Sequence, residues 1–162
     1  MDILILIALG TQDKPFYRLL DAVQKQIDNK VITEEVIVQA GCSSNYKSKD
    51  MKIFDLIPID KFDKLVEQCD VLITHGGVGT IIAGLKNNKK VIVAARLKKY
   101  KEHVNDHQLQ IIENFSNAGY ILSLDNFDEL DKVLKKAKSF KPKKYKSNTT
   151  SFIKLLKKQI DL

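Results

Sequence analysis

The alternation of short apolar segments with amphipathic ones is the feature that most limits what this chain can fold into. The run ILILIAL at Ile3–Leu9 is rich in branched residues, which is typical of a strand buried on both faces. The next segment, from about Pro15 to Asn29, has apolar residues at helical spacing and predicts an amphipathic helix. Because this alternation recurs, the sequence predicts an α/β fold: a doubly wound, Rossmann-like parallel sheet with helices on both faces.

The remaining predicted elements continue this pattern to the end of the chain. Residues 1–140 are predicted to form one domain, and residues 141–162 a basic linker followed by an amphipathic helix. Further strands are predicted at 34–40, 52–57, 70–74, 90–95 and 120–124. Further helices are predicted at 60–69 with Asp60 as its cap, from the glycine cluster to about 87, and at 105–117, 126–139 and 151–160.

Composition and cysteine content limit the compartments in which the protein is expected. A chain of 162 residues is long enough for one domain with a core of ordinary size. Cys42 and Cys69 are too few for a disulfide framework, which favours a cytoplasmic protein. The apolar run at Ile3–Leu9 is too short to span a bilayer and lacks the features of a signal peptide. We expect contact with a membrane only at its surface.

The net charge of +7 hides an uneven distribution. Residues 132–160 contain eleven lysines and no acidic residue, so residues 1–131 carry −3 and residues 132–162 carry +10. This basic tail is compatible with a merely solvated end, with attraction to an anionic lipid surface, or with nucleic acid. The tail has few aromatic residues and no nucleic-acid-binding motif, so we expect no nucleic-acid partner.

Four of the seven glycines lie in the segment THGGVGTIIAGL, residues 74–85. Gly76, Gly77 and Gly79 follow a predicted strand and open a predicted helix, where free backbone N–H groups and the helix dipole favour an anion. Thr80 adds a hydroxyl group. The pattern is neither G-x-G-x-x-G nor a P-loop, and a tight turn between strand and helix without a ligand is the alternative.

The histidines of the chain fall close to the same predicted edge of the sheet. His75 precedes the glycines, while His103 and His107 lie in ARLKKYKEHVNDHQLQ, residues 95–110, which follows the next predicted strand. Arg96, one of only two arginines, lies in the same segment. Because parallel strands end at one edge, we expect these side chains to lie near the glycine loop.

The segment around His107 allows three interpretations. His103, Asp106 and His107 have a spacing that zinc sites use, but no third ligand is evident, so we expect no metal. Asn105 and Asp106 could simply cap a helix that starts near His107. Alternatively, Asp106 and Gln108 could form hydrogen bonds with ligand hydroxyls, as recognition of a sugar requires.

The motifs ITHGGVGTIIAGL, VIVAARLKKYKEHVNDHQLQ and GYIL together resemble the C-terminal domain of the family 28 glycosyltransferases. The opening segment ALGTQDKPFYRLLDAV is similar as well, and the resemblance reaches to about Asp128. More narrowly, the chain resembles the donor-binding subunits of two-component enzymes, the Alg13-like and PssE-like subunits.

This resemblance implies that the domain is one half of a GT-B enzyme that binds a UDP-sugar as substrate and uses no cofactor. It places the nucleobase of the donor near Ile57–Ile59. It leaves the catalytic general base unassigned, with His75, Arg96 and His107 as candidate catalytic residues. The residues that it assigns to the donor and its diphosphate are Gly10, Thr11, His75, Gly76, Gly77, Gly79 and Thr80. The residues that it assigns to the donor sugar are Asn105, Asp106, His107 and Gln108.

The resemblance also implies a partner, because such enzymes are split between two chains. An Alg14-like or PssD-like membrane-anchored subunit would supply the other half and the lipid-linked saccharide acceptor. The assembly would then act in capsule or exopolysaccharide synthesis, as an inverting transferase at the cytoplasmic face of the membrane. The basic tail would dock on that partner or on anionic lipid.

One departure from the family pattern keeps other functions open. Relatives often carry a ribose-binding Glu in the helix after the glycines, where this chain has Ala83. A non-catalytic, scaffolding subunit would explain that change. An unrelated binder of NAD or flavin would need an acidic residue after the second strand, and residues 39–41 offer none.

Overall fold

The computed structural model describes residues 3–146 and the single residue Lys154. Apart from Lys154, the helix predicted at 151–160 lies outside the described residues. Within the described part, no helix is long and apolar enough to cross a membrane. In chain order the elements of residues 3–146 are β1 (Leu4–Ala8), α1 (Tyr17–Asp28), β2 (Glu35–Gln39), β3 (Met51–Phe54), α2 (Ile59–Gln68), β4 (Val71–His75), α3 (Val78–Lys86), β5 (Lys90–Ala94), α4 (His107–Asn117), β6 (Leu122–Leu124) and α5 (Leu130–Ser139).

The six strands form one sheet in the order β3-β2-β1-β4-β5-β6. Every pairing between neighbouring strands is parallel. This confirms the predicted doubly wound, Rossmann-like sheet, whose strand order reverses between β1 and β4. Such a reversal opens a crevice at the carboxyl ends of the two central strands, where ligands bind in sheets of this kind.

The core has two layers because alternate residues of each strand point to opposite faces of the sheet. Ile5 and Ile7 of β1 pack into the layer covered by α1 and α5. Leu6 and Ala8 pack into the layer covered by α2, α3 and α4. Burial of both faces explains why β1, a central strand, is apolar throughout instead of alternating with polar residues.

The start of α2 differs from the prediction. The helix begins at Ile59 after Pro58, and Asp60 lies in its first turn, so the prediction that Asp60 caps this helix is wrong. Strand β3 ends at Phe54, three residues before the predicted end. The extended backbone of Pro58 already sets the entry into the helix, and a proline at this point needs no N–H partner.

Helix α4 begins at His107, two residues later than predicted. Asn105 and Asp106 accept hydrogen bonds from backbone N–H groups of the preceding loop and of His107. These local bonds compete with helical pairing, which explains the shorter helix.

Candidate functional site

The reversal point of the sheet brings the two glycine-containing loops together. Gly10 follows β1 with a φ of 80°, a left-handed conformation that favours glycine. Gly76 and Gly77 follow β4 and lead into α3. The hydroxyl of Thr74 donates to the Ala8 carbonyl over 2.9 Å, which holds the ends of β4 and β1 side by side. The predicted loop therefore lies at the crevice of the sheet.

The imidazole of His75 lies between these two loops. A Cβ atom at Gly77 would lie 2.6 Å from His75 Nε2, and one at Gly10 would lie 2.8 Å from His75 Cε1. Both distances are shorter than any ordinary contact, so the side chain of His75 requires glycine at both positions. The sequence alone explains these glycines by a bound phosphate. The structure shows that the side chain of His75 already requires them, whether or not a ligand binds.

The other two glycines of the loop face different surroundings. A Cβ atom at Gly76 would lie 2.7 Å from Cβ of Gln108. A Cβ atom at Gly79 would have no neighbour within 4 Å, and Gly79 is exposed on the first turn of α3. Among the three clustered glycines, Gly79 alone faces open space, where an anion could approach the backbone of the helix start.

Gln108 connects three parts of the site through its amide group. Its Oε1 atom accepts hydrogen bonds from the backbone N–H groups of Gly76 and Arg96, both over 2.9 Å. Its Nε2 atom lies 3.1 Å from Nδ1 of His75. The side chain is 4% exposed, so these internal contacts support a positioning role. The predicted contact with a donor sugar is not what this geometry supports.

The environment of His75 keeps its imidazole neutral. Burial lowers the pKa of His75 to about 4, and the positive charge of Arg96 and the nearby His103 act in the same direction. The ring therefore carries no charge near pH 7 and can act only through hydrogen bonds there.

Arg96 is a buried connector between loops. It is 1% exposed, and its Nη1 atom donates to the carbonyls of Lys14 (2.7 Å) and Glu102 (3.2 Å), while Nη2 donates to the carbonyl of Leu9. Burial lowers the pKa of Arg96 to about 10, and the carboxylate of Glu102 opposes that shift, so the guanidinium remains charged near pH 7. These contacts suit a residue that joins the loops after β5 and β1, and they leave its predicted catalytic role without geometric support.

Sequence reasoning missed Glu102 and Arg18. Arg18 donates from Nε to Oε1 of Glu102 and from Nη2 to Oε2, each over 2.9 Å, and Glu102 is 3% exposed. Oε2 also accepts a hydrogen bond from the Leu97 N–H over 3.0 Å. A usable signal existed, because Glu102 is the only acidic residue between positions 95 and 105 of a lysine-rich loop.

The other predicted sugar contacts lie on this anchored loop. Asn105 Oδ1 accepts from the His107 N–H over 3.0 Å, and Asp106 Oδ1 accepts from the Lys98 N–H over 2.8 Å. Both side chains are exposed, and His107 is half-buried. Thr11 is exposed and Thr80 is half-buried, close to the two glycine loops. Binding of a ligand by these residues stays a prediction. No group of three or more potential metal-binding side chains occurs in the described residues.

Two cavities lie beside the sheet. One of about 460 Å³ is lined by Phe54, Leu56, Ile57 and Leu65, and it reaches the segment where the base is expected. Another, of about 630 Å³, opens at the amino ends of the central strands near Asp70, on the side opposite the glycine loops. The larger of these two cavities therefore lies away from the side chains that form the candidate site.

The strand order, the crevice between β1 and β4 and the glycine-opened helix α3 define a Rossmann-like half of a GT-B glycosyltransferase fold. The sequence matches the glycosyltransferase family 28 C-terminal domain over residues 4–160, and the chain belongs to that family. This confirms the resemblance stated above.

Solved structures agree with this fold. The glycosyltransferase of kitacinnamycin superimposes with a TM-score of 0.65 at 18% identity, over 99% of this chain and 40% of that chain. The NMR solution structure of ALG13 superimposes with a TM-score of 0.60 at 20% identity, over 96% of this chain and 94% of that chain. At such identities the likeness shows the fold.

A comparison of sequences finds a relative with a named activity. The UDP-N-acetylglucosamine transferase subunit ALG13 of Candida glabrata is 33% identical over 79 residues. This region covers 48% of the present chain and 38% of the relative. The match therefore spans less than half of the relative's length.

Proposed function

We propose that this protein is the donor-binding subunit of a UDP-sugar glycosyltransferase. The observation that carries the proposal is the meeting of the Gly10 loop, His75 and the start of α3 at the crevice between β1 and β4. Membership in the family 28 C-terminal domain and the similarity to a UDP-N-acetylglucosamine transferase subunit support it.

The start of α3 would bind the diphosphate of the donor. Free backbone N–H groups and the positive end of the helix dipole favour an anion there, and Gly79 leaves the approach open. The nucleobase of the donor would lie near the apolar cavity beside Ile57. Because this site would hold UDP as it leaves, its preorganised donors would stabilise the charge that develops on the leaving group.

The proposed reaction is an inverting, metal-independent transfer. An acceptor hydroxyl would attack the anomeric carbon while the bond from that carbon to the phosphate oxygen breaks, and a general base would take the hydroxyl proton. Following the family resemblance, we propose that the second subunit supplies that base. Of the three candidates in this chain, His75 and Arg96 lie buried in contacts with their own chain, and His107 is half-buried at the start of α4.

The proposed partner is a membrane-anchored subunit that resembles Alg14 or PssD and supplies a lipid-linked saccharide acceptor. In this proposal the partner supplies the other half of the GT-B assembly. We place the assembly at the cytoplasmic face of the membrane in capsule or exopolysaccharide synthesis. The lysine-rich tail would contact that partner or anionic lipid.

A non-catalytic scaffolding subunit is the second candidate. Ala83 lies half-buried on α3, and a methyl group offers nothing to ribose hydroxyls. This alternative predicts the same fold and the same partner but no turnover by the assembled pair.

The test is calorimetric titration of the full chain with UDP, with GDP and NAD as comparison ligands. We expect UDP to bind in preference to both, and Thr80→Val, which removes one hydroxyl at the start of α3, to weaken binding. Ser123→Ala on β6, far along the sheet from the crevice, serves as the matched control and should bind as the wild type does. Equal binding of the three ligands, or no binding by folded protein, would contradict a UDP site in this chain.

A further inference from the structure

The amide of Gln108 can be oriented in one way only. Its oxygen faces two backbone N–H groups, those of Gly76 and Arg96, and such groups can only donate. The amide nitrogen must therefore face Nδ1 of His75, 3.1 Å away, and that nitrogen can only donate as well. It follows that Nδ1 of His75 is the acceptor.

The tautomer of His75 follows from this bond. A neutral imidazole carries one proton, so an unprotonated Nδ1 leaves the proton on Nε2. The Nε2 atom lies on the ring edge that faces Gly10 and Gly77. No described residue accepts a hydrogen bond from it.

We propose that Gln108 is a positioning residue that fixes His75 as an N–H donor through Nε2, aimed at an anionic oxygen bound between the Gly10 loop and the start of α3. This inference rests on the proposed function, and it names the atom of this chain that would contact the diphosphate. Gln108 acts through His75 and does not itself touch the ligand.

The charged neighbours explain why a neutral donor is used here. Arg96 and His103 both lie on the loop after β5, and both oppose a second proton on His75. A neutral donor keeps the same hydrogen bond across the pH range in which an ordinary histidine would titrate. UDP affinity should then be flat between about pH 6 and 8 as far as His75 is concerned.

The first experiment is NMR spectroscopy of the ¹⁵N-labelled full chain without ligand. We expect Nε2 of His75 to be protonated and Nδ1 to be unprotonated at pH 7. Protonation at Nδ1, or titration of His75 near pH 6.5, would overturn the inference even if UDP binds. This result does not depend on any ligand.

Ligand titration tests the contact itself, with UDP and inorganic pyrophosphate as the probes. We expect both to move the Nε2–H resonance of His75. If only pyrophosphate moves it, the inference stands and the proposed nucleotide is wrong. If neither moves it, the donor role of His75 is overturned.

Gln108→Glu tests the positioning role. A carboxylate still accepts from Gly76 and Arg96 but cannot donate to Nδ1, so the proton should move to Nδ1 or the ring should gain a second one. We expect UDP affinity to fall by about tenfold or more and to become pH-dependent. Gln110→Glu, on the same helix and half-buried, is the control and should leave the tautomer unchanged. An unchanged tautomer in Gln108→Glu would contradict the positioning role.

Discussion

The guanidinium of Arg18 on α1 and the carboxylate of Glu102, 84 positions further along the chain, form a two-point ion pair with both N–O distances at 2.9 Å. The pair holds the loop after β5 against α1, and Arg96 holds the same loop against the carbonyls of Leu9 and Lys14. Both arginines of the chain are thus used to fix one loop. That loop carries Asn105 and Asp106 and leads into α4, which begins with His107 and Gln108, so its position decides the geometry of the candidate site.

Removal of the Glu102 charge should destabilise the fold. Glu102→Gln leaves Arg18 without its ionic partner in a largely buried setting, and we expect a loss of about 2–3 kcal/mol in the free energy of unfolding. Urea denaturation measures it. Glu35→Gln, which breaks the exposed pair with Lys52, is the control and should have a far smaller effect. Equal losses in the two variants would show that the buried pair does not anchor the loop.

Gly77→Ala and Gly79→Ala should have opposite consequences. At Gly77 the new methyl group would lie 2.5 Å from His75 Cε1, so the ring must move and stability should fall. At Gly79 the methyl group meets no protein atom, and alanine in a helix should stabilise by up to about 1 kcal/mol. We expect Gly79→Ala to bind UDP more weakly despite its stability. Thermal unfolding and UDP titration of both variants test this. Full UDP affinity in Gly79→Ala would show that the diphosphate does not bind at that position.

The free energy of unfolding should decrease as the pH is lowered from 6.5 to 4, because of His75. In this window the unfolded chain binds a proton on this residue, whereas burial lowers the pKa of the folded ring to about 4. Stability therefore rises with pH through the window, and the contribution of His75 amounts to about 3 kcal/mol. Denaturation curves of the wild type and His75→Asn across this range measure the difference. His107→Gln is the control, and the same pH profile in wild type and His75→Asn would contradict the assignment.

The two cysteines should differ sharply in reactivity. Cys42 is exposed, whereas Cys69 is buried, donates to the Val66 carbonyl over 3.3 Å and has its pKa raised to about 11 by burial. A thiol reagent at neutral pH should modify Cys42 rapidly and Cys69 only on unfolding. Cys42→Ser should abolish the fast phase. Two fast-reacting thiols in the native protein would show that the α2–β4 junction opens readily.

The fold could be predicted because its signals are local. An apolar run such as Ile3–Leu9 can be buried on both faces only in a covered sheet, and helical spacing in the next segment supplies the cover. The glycine loop was predictable for the same reason, since three glycines between a strand and a helix indicate a special backbone. Boundaries shifted where side chains bind the backbone, as at Asn105 and Asp106.

The functions of individual site residues were less predictable. Gln108 and Arg96 are polar residues in a predicted ligand-binding segment, and from the sequence alone such side chains are expected to contact the ligand. Their partners lie on loops separated from them by as many as 87 positions, and only the fold brings those partners close. Glu102 has the character of a surface residue in a lysine-rich segment until Arg18 is placed beside it.

By itself the sequence determined the parallel α/β sheet, the position of the glycine loop at a strand end and the family resemblance, because periodicity and short motifs are properties of neighbouring residues. The tertiary structure alone decided that His75 occupies the space left by Gly10 and Gly77, and that Gln108 and Arg96 are turned inward. These contacts join strand ends that are remote along the chain. Their geometry is set by the strand order of the sheet, which no local pattern specifies.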